Sequence, residues 1–82
     1  MKLNPVGSNQ TEIEYADGVT VLYSYKTPVA VFVPGKGALC TSRKYSMTTS
    51  RHVNKAVERW GSSRTNVDQG IVDQYAERQA AA

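Results

Sequence analysis

The chain has 82 residues and a net charge of +3, which fits one small basic domain with a thin core, so we expect binding at an exposed surface rather than chemistry in a deep cavity. Its single Cys and single His exclude an internal disulfide and cannot supply the four ligands of a Cys/His zinc site, and no cofactor is predicted. It has no apolar run near the roughly 18 residues of a membrane span and no secretory signal at its start, which predicts a cytoplasmic protein without a membrane partner.

The first ten residues are polar and contain Pro5 and Gly7, which predicts a flexible lead-in. A single α+β domain is expected over residues 11–78, followed by a frayed tail over residues 79–82. Alternating or continuous apolar runs predict an antiparallel β-meander of three to four strands, over residues 11–15, 19–25, 29–33 and 38–41. Within this meander, Pro28 marks a break or a sheet edge, because proline cannot donate a hydrogen bond to a ladder.

The apolar period changes to that of a helix in the second half of the chain. The stripe that predicts one main helix consists of Val53, Ala56, Val57 and Trp60. Thr49 or Ser50 is expected to cap its first turn, and Gly61 suits its C-terminal end. After a linker over residues 62–65, a shorter C-terminal helix is predicted with Asn66 as its cap, Gln69 at the capping-box position, and an apolar stripe of Val67, Ile71 and Tyr75.

The positive charge is concentrated in the middle of the chain. Residues 26–64 contain eight Lys and Arg residues against Glu58 alone, whereas the segments on either side are acidic on balance. This distribution predicts a positive patch rather than a uniformly basic surface. Such a patch favours a nucleic acid, another phosphate-bearing ligand or an acidic protein surface as the partner.

Residues 41–52 are the best candidate for a binding segment. They include three basic residues, six Ser or Thr residues, a tyrosine and the only histidine, and they lead into the main helix. Amides at a helix start favour an anion, Arg51 offers a planar fork suited to phosphate, and Tyr45 could stack on a base. The candidate binding residues are Arg43, Lys44, Tyr45, Thr49, Ser50, Arg51 and Lys55. The alternative, that these residues only cap the helix and form its solvated face, stays open here.

No catalytic set can be assembled from the sequence, which predicts a non-enzymatic protein. His52 lies at a helix start, where the positive end of the helix discourages protonation, and we expect an exposed or capping residue. Cys40 falls in a predicted strand and is expected to be a small buried residue. A weaker alternative is an enzyme that uses His52 and Cys40.

Two stretches of the chain resemble a group of short, uncharacterised proteins of bacteriophage genomes. The stretches are Thr27-Pro28-Val29-Ala30 and Tyr45-Ser46-Met47-Thr48-Thr49-Ser50-Arg51-His52, and the likeness covers about residues 11–60. It carries no catalytic role and implies a phage or prophage setting, in which short proteins often modulate host machinery or defence. The alternative function is therefore a protein-interaction module that inhibits a host defence or nucleic-acid-processing protein. An edge at Pro28 and the stripe of the last helix could also support a homodimer.

Overall fold

The computed structural model describes the backbone of residues 2–81 and the side chains of residues 2–78, which form a six-stranded sheet with a helix on each face. In chain order the elements are β1 (Lys2–Gly7), β2 (Gln10–Glu14), β3 (Thr20–Ser24), β4 (Thr27–Val33), β5 (Gly37–Thr41), α1 (Met47–Trp60), β6 (Arg64–Val67) and α2 (Gln69–Ala81). The strands lie in the sheet in their sequence order. The α+β class and the two helices are therefore confirmed.

Alternation along the central strands divides the core between the two faces of the sheet. Leu22 of β3 lies in one apolar cluster with Val53 of α1. Its neighbour Val21 lies in a second cluster with Val72 of α2. Because successive residues of a strand point to opposite faces, α1 and α2 cover opposite sides of the sheet.

The sheet differs from the prediction in having six strands rather than three to four, and in being mixed rather than purely antiparallel. β1 occupies residues expected to form a flexible lead-in, and it pairs with β2 from Lys2↔Glu14 to Gly7↔Gln10. β6 pairs in parallel with β5, with α1 as the crossover between them. Both strands escaped prediction because they join the sheet through backbone hydrogen bonds, while their side chains are largely polar or exposed.

Pro28 lies within a central strand, so the prediction of a sheet edge there is wrong. β4 pairs with β3 on one side and with β5 on the other. The register shifts between Leu22↔Ala30 and Tyr23↔Pro28, which leaves Val29 as a bulged residue. Proline is tolerated beside a bulge because the ladder is already interrupted there. The edge at Pro28 therefore gives no support to a homodimer.

The start of α1 is capped by Ser46, not by Thr49 or Ser50. Ser46 has an extended backbone, and its Oγ accepts a hydrogen bond from the Thr49 amide at 3.1 Å. A run of Ser and Thr residues offers several chemically equivalent caps, so the sequence alone could not select among them. Gly61 ends the helix as predicted, in a left-handed conformation with φ 61°.

α2 begins at Gln69, and the predicted cap Asn66 lies in β6 instead. Gln69 is buried, and its Nε2 donates to the Pro28 carbonyl oxygen and to Asp73 Oδ1, each at 2.8 Å. It therefore ties the first turn of α2 to β4 rather than completing a capping box. The buried stripe of α2 includes Val72 and Ala76, so the predicted stripe is wrong: Val67 lies in β6, and Ile71 is exposed. The helix runs to Ala81, and Ala82 of the expected frayed tail lies outside the described residues.

We predict that Ser46→Ala lowers the free energy of unfolding by about 1 kcal/mol, because the Thr49 amide loses its side-chain acceptor. Ser50→Ala is the matched control, since Ser50 is exposed after the cap, and we expect a change within about 0.5 kcal/mol. Urea unfolding followed by circular dichroism measures both variants. An equal or larger loss in Ser50→Ala would show that the cap is assigned to the wrong residue.

Candidate functional site

A buried polar cluster fixes the start of α1 on the sheet. Ser24 ends β3, and its Oγ lies 2.8 Å from His52 Nδ1 and 3.0 Å from Thr49 Oγ1. The three side chains are buried, and each has a hydrogen-bond partner within the cluster. The Ser46 Oγ, 3.3 Å from the Thr49 hydroxyl, joins this cluster to the helix cap. The first two turns of α1 are therefore held at the end of β3.

Two sequence-based predictions fail at this cluster. Thr49 was a candidate ligand-binding hydroxyl, but it faces the core because Ser24 and Ser46 both bond to it. His52 was expected to be exposed or capping, but it is buried because Ser24 provides a partner for its ring nitrogen. No local pattern signals this, since the partner comes from a strand 28 positions earlier.

The other predicted binding residues are exposed, and several of them surround one open groove. The groove has a volume of about 610 Å³ and lies between the β5–α1 loop and the outer face of α1. Of the predicted residues it is lined by Lys44, Tyr45, Ser50 and Arg51. Ser46, Met47 and Asn54 complete the lining, and the sequence had not singled them out for binding.

Arg43 and Lys55 flank the groove without lining it. The Arg43 guanidinium lies 6.0 Å from the centroid of the Tyr45 ring, within the range of a cation–π contact. Lys55 follows Arg51 by one helical turn and borders a second, shallower depression beside Glu58. The exposed cations thus run from the loop along the outer face of α1.

Arg64 is a further cation at this site that sequence reasoning missed. Its Nη1 donates to Asn54 Oδ1 at 2.6 Å, and its Nε donates to Asn66 Oδ1 at 3.2 Å. Because Asn54 lines the groove, Arg64 connects the groove wall to the edge of the sheet. The sequence placed Arg64 in a linker, and only the parallel pairing of β6 with β5 brings it beside α1.

Arg59 belongs to the same basic segment but has a structural partner. It forms an ion pair with Glu12 of β2, with Nε 3.1 Å from Oε2, and Trp60 Nε1 donates to Glu12 Oε1 at 3.3 Å. The Glu12 carboxylate is largely buried, so the pair anchors the end of α1 on the sheet. Among the described residues no carboxylate forms an ion pair with Arg43, Lys44, Arg51, Lys55 or Arg64.

The two helices give the molecule faces of opposite charge. The outer face of α1 carries Arg51 and Lys55, with Glu58 as its acidic residue. On the opposite side of the sheet, α2 carries Asp73 and Glu77 against Arg78. An anionic ligand is therefore attracted more strongly to the α1 side of the sheet than to the α2 side.

Neither His52 nor Cys40 lines the groove. Burial, with a smaller contribution from the nearby charge of Lys55, lowers the pKa of His52. Burial also raises the pKa of the Cys40 thiol, which lies in the apolar cluster beneath α1 as the sequence predicted. Both groups are therefore held uncharged inside the fold, an arrangement that suits packing rather than nucleophilic chemistry.

The family model described as "Family of unknown function (DUF8033)" matches residues 1–74, and the chain belongs to that family. No curated protein and no solved structure matches the chain. Among the described residues, no helix has the length and apolar character needed to cross a membrane. The groove and its flanking cations lie entirely within the matched region.

We predict that the protein loses stability as the pH falls below 6.5, the ordinary pKa of histidine. The fold holds His52 at a lowered pKa, so the unfolded chain takes up a proton that the folded chain does not. The contribution of His52 to stability is therefore fully present above pH 6.5, and it is lost as the pH falls from there towards the lowered folded-state pKa. Urea unfolding about one pH unit on either side of this value measures the effect.

His52→Gln is the control for this pH dependence, because it removes the only histidine of the chain. We expect the variant to be less stable at neutral pH and to show a flatter dependence of stability on pH over the same interval. The same pH slope in both proteins would mean that His52 remains free to protonate in the fold.

Proposed function

We propose that the protein is a non-enzymatic nucleic-acid binder that holds phosphates with exposed cations on the α1 side of the sheet. The residues are Arg43, Lys44, Arg51, Lys55 and Arg64. The observation that carries the proposal is that these cations, from a loop, a helix and an edge strand, gather around one groove without an ion-pair partner among the described residues. Phosphates are the anions that such an extended row of cations suits best.

The arrangement of charge along α1 supports a polyanionic ligand. Arg51 and Lys55 are one turn apart, and like charges at this spacing destabilise a helix by a few tenths of a kcal/mol. Glu58, three residues after Lys55, offsets part of the positive charge at that end of the face, but no acidic residue lies one turn from Arg51 on the helix. A bound phosphate chain removes the repulsion and releases its own counterions.

In this proposal, side chains rather than helix amides donate the hydrogen bonds to phosphate. Ser46 Oγ already accepts the hydrogen bond of the Thr49 amide, so the cap occupies part of the helix start. Arg51 can donate two parallel hydrogen bonds to one phosphate, whereas Lys44 acts as a point charge. The exposed Ser50 hydroxyl and the Asn54 amide lie in the same groove and can add further hydrogen bonds.

A second candidate is a module that docks on an acidic protein surface, such as a host protein in a phage setting. The observation that favours it is the exposure of Met47, which is 76% accessible in the groove. Exposed apolar side chains beside cations are also common at protein interfaces. A pull-down with and without nuclease separates the two candidates, because a partner retained after nuclease treatment does not depend on nucleic acid.

We predict that affinity for a short labelled DNA strand falls steeply with salt, and that Arg51→Gln weakens it about tenfold through the loss of a charge-assisted hydrogen bond. The variant should also reduce the slope of log affinity against log salt by about 1. Arg78→Gln is the matched control, because Arg78 is an exposed arginine of α2. Fluorescence anisotropy at several salt concentrations measures all three proteins.

The charge-reversal pair Arg43→Glu with Arg51→Glu gives the decisive version of this experiment. We expect binding to be abolished while the circular dichroism spectrum stays unchanged, because both side chains are exposed. Binding that survives the double reversal would place the binding site outside the groove. The same conclusion would follow if Arg78→Gln weakened binding as much as Arg51→Gln does.

A further inference from the structure

The groove at the start of α1 combines exposed apolar side chains with exposed cations. Tyr45 is 41% accessible and Met47 is 76% accessible, and both line the groove. Lys44 and Arg51 line the same groove. Phosphates alone would leave the apolar pair in water, whereas a ligand that presents a flat apolar surface beside its negative charge would contact both kinds of side chain.

We infer that the nucleic acid bound here is single-stranded, with a base stacked on Tyr45 and the adjoining phosphates at Lys44 and Arg51. This inference rests on the proposed function and narrows it. In a duplex the bases are stacked inside and the backbone faces the protein, so Tyr45 would meet mainly sugar and phosphate. In a single strand each base has a free face that an aromatic ring can cover.

The backbone of Tyr45 adjoins the capped start of α1. Tyr45 immediately precedes Ser46, whose hydrogen bonds to Thr49 start the helix and are joined to the buried cluster at Ser24. The Arg43 guanidinium lies 6.0 Å from the centroid of the Tyr45 ring, at the outer limit of a cation–π contact. The backbone that carries Tyr45 therefore adds less to the entropy cost of binding than a loop without this anchor would.

Asn54 adds a donor to the same wall of the groove. A guanidinium only donates hydrogen bonds, so the atom of Asn54 that faces Arg64 is its oxygen. The amide nitrogen of Asn54, with two N–H groups, is then the end available to a ligand in the groove. It matches a base that presents a carbonyl oxygen or an unprotonated ring nitrogen on its exposed edge.

The test compares a labelled oligothymidylate with the same strand paired to oligoadenylate, at one low salt concentration, by fluorescence anisotropy. We expect the single strand to bind at least about tenfold more tightly, and Tyr45→Ala to reduce its affinity about tenfold, which is the effect of one lost stacking contact. Tyr45→Phe keeps the ring and should keep the affinity. Arg51→Gln should weaken binding of both forms, because both carry phosphates.

The possible outcomes separate this inference from the function on which it rests. Duplex binding as tight as single-strand binding, or an unchanged affinity in a folded Tyr45→Ala protein, would overturn the single-strand inference and leave the phosphate contacts standing. Binding of neither form at low salt would overturn the inference and the proposed function together. A preference for the single strand that Tyr45→Ala removes and Tyr45→Phe restores is the supporting result.

Discussion

The hydrogen bonds that Ser24 makes to Thr49 and His52 act with the apolar stripe of α1 to determine which side of the helix faces the solvent. These polar groups are buried, and leaving one of them without a partner costs about 1–3 kcal/mol. A rotation of the helix about its axis would break the cluster and would move charged residues such as Arg51 towards the apolar sheet. The cluster thus adds a polar constraint to the orientation on which every exposed cation of the helix depends.

The opposite end of α1 is fixed by a different interaction with the same consequence. Glu12 accepts hydrogen bonds from Arg59 and Trp60, and so connects the last turn of the helix to β2. Val53 and Ala56 lie between the two anchors and pack against the sheet. Asn54 and Lys55, which separate them in the sequence, are exposed. Arg59 and Arg51 therefore have different roles although they are the same residue type on the same helix. Arg59 holds the helix in place, and Arg51 remains available to a ligand.

Local sequence patterns predicted the central strands and the end of the main helix, because these features are specified by residues close together in the sequence. β2 to β5 follow from alternating or continuous apolar runs, and the end of α1 follows from Gly61. β1 and β6 join the sheet by backbone pairing, and although Val6 and Val67 pack against the apolar clusters, neither strand has enough apolar residues to show a strand period. The site divides in the same way. The exposure of Arg51 follows from the helical period, but the position of Arg64 follows only from a parallel strand pair.

Residue-resolved binding measures the central claim, that the α1 face is the ligand surface, most directly. Amide proton–nitrogen correlation spectra recorded during titration with a short oligothymidylate report which residues change environment. We predict shifts concentrated in residues 43–55 and at Arg64, with the amides of α2 unchanged. Shifts centred on Asp73 and Glu77, or an unperturbed spectrum at low salt, would contradict the assignment of this face to nucleic acid.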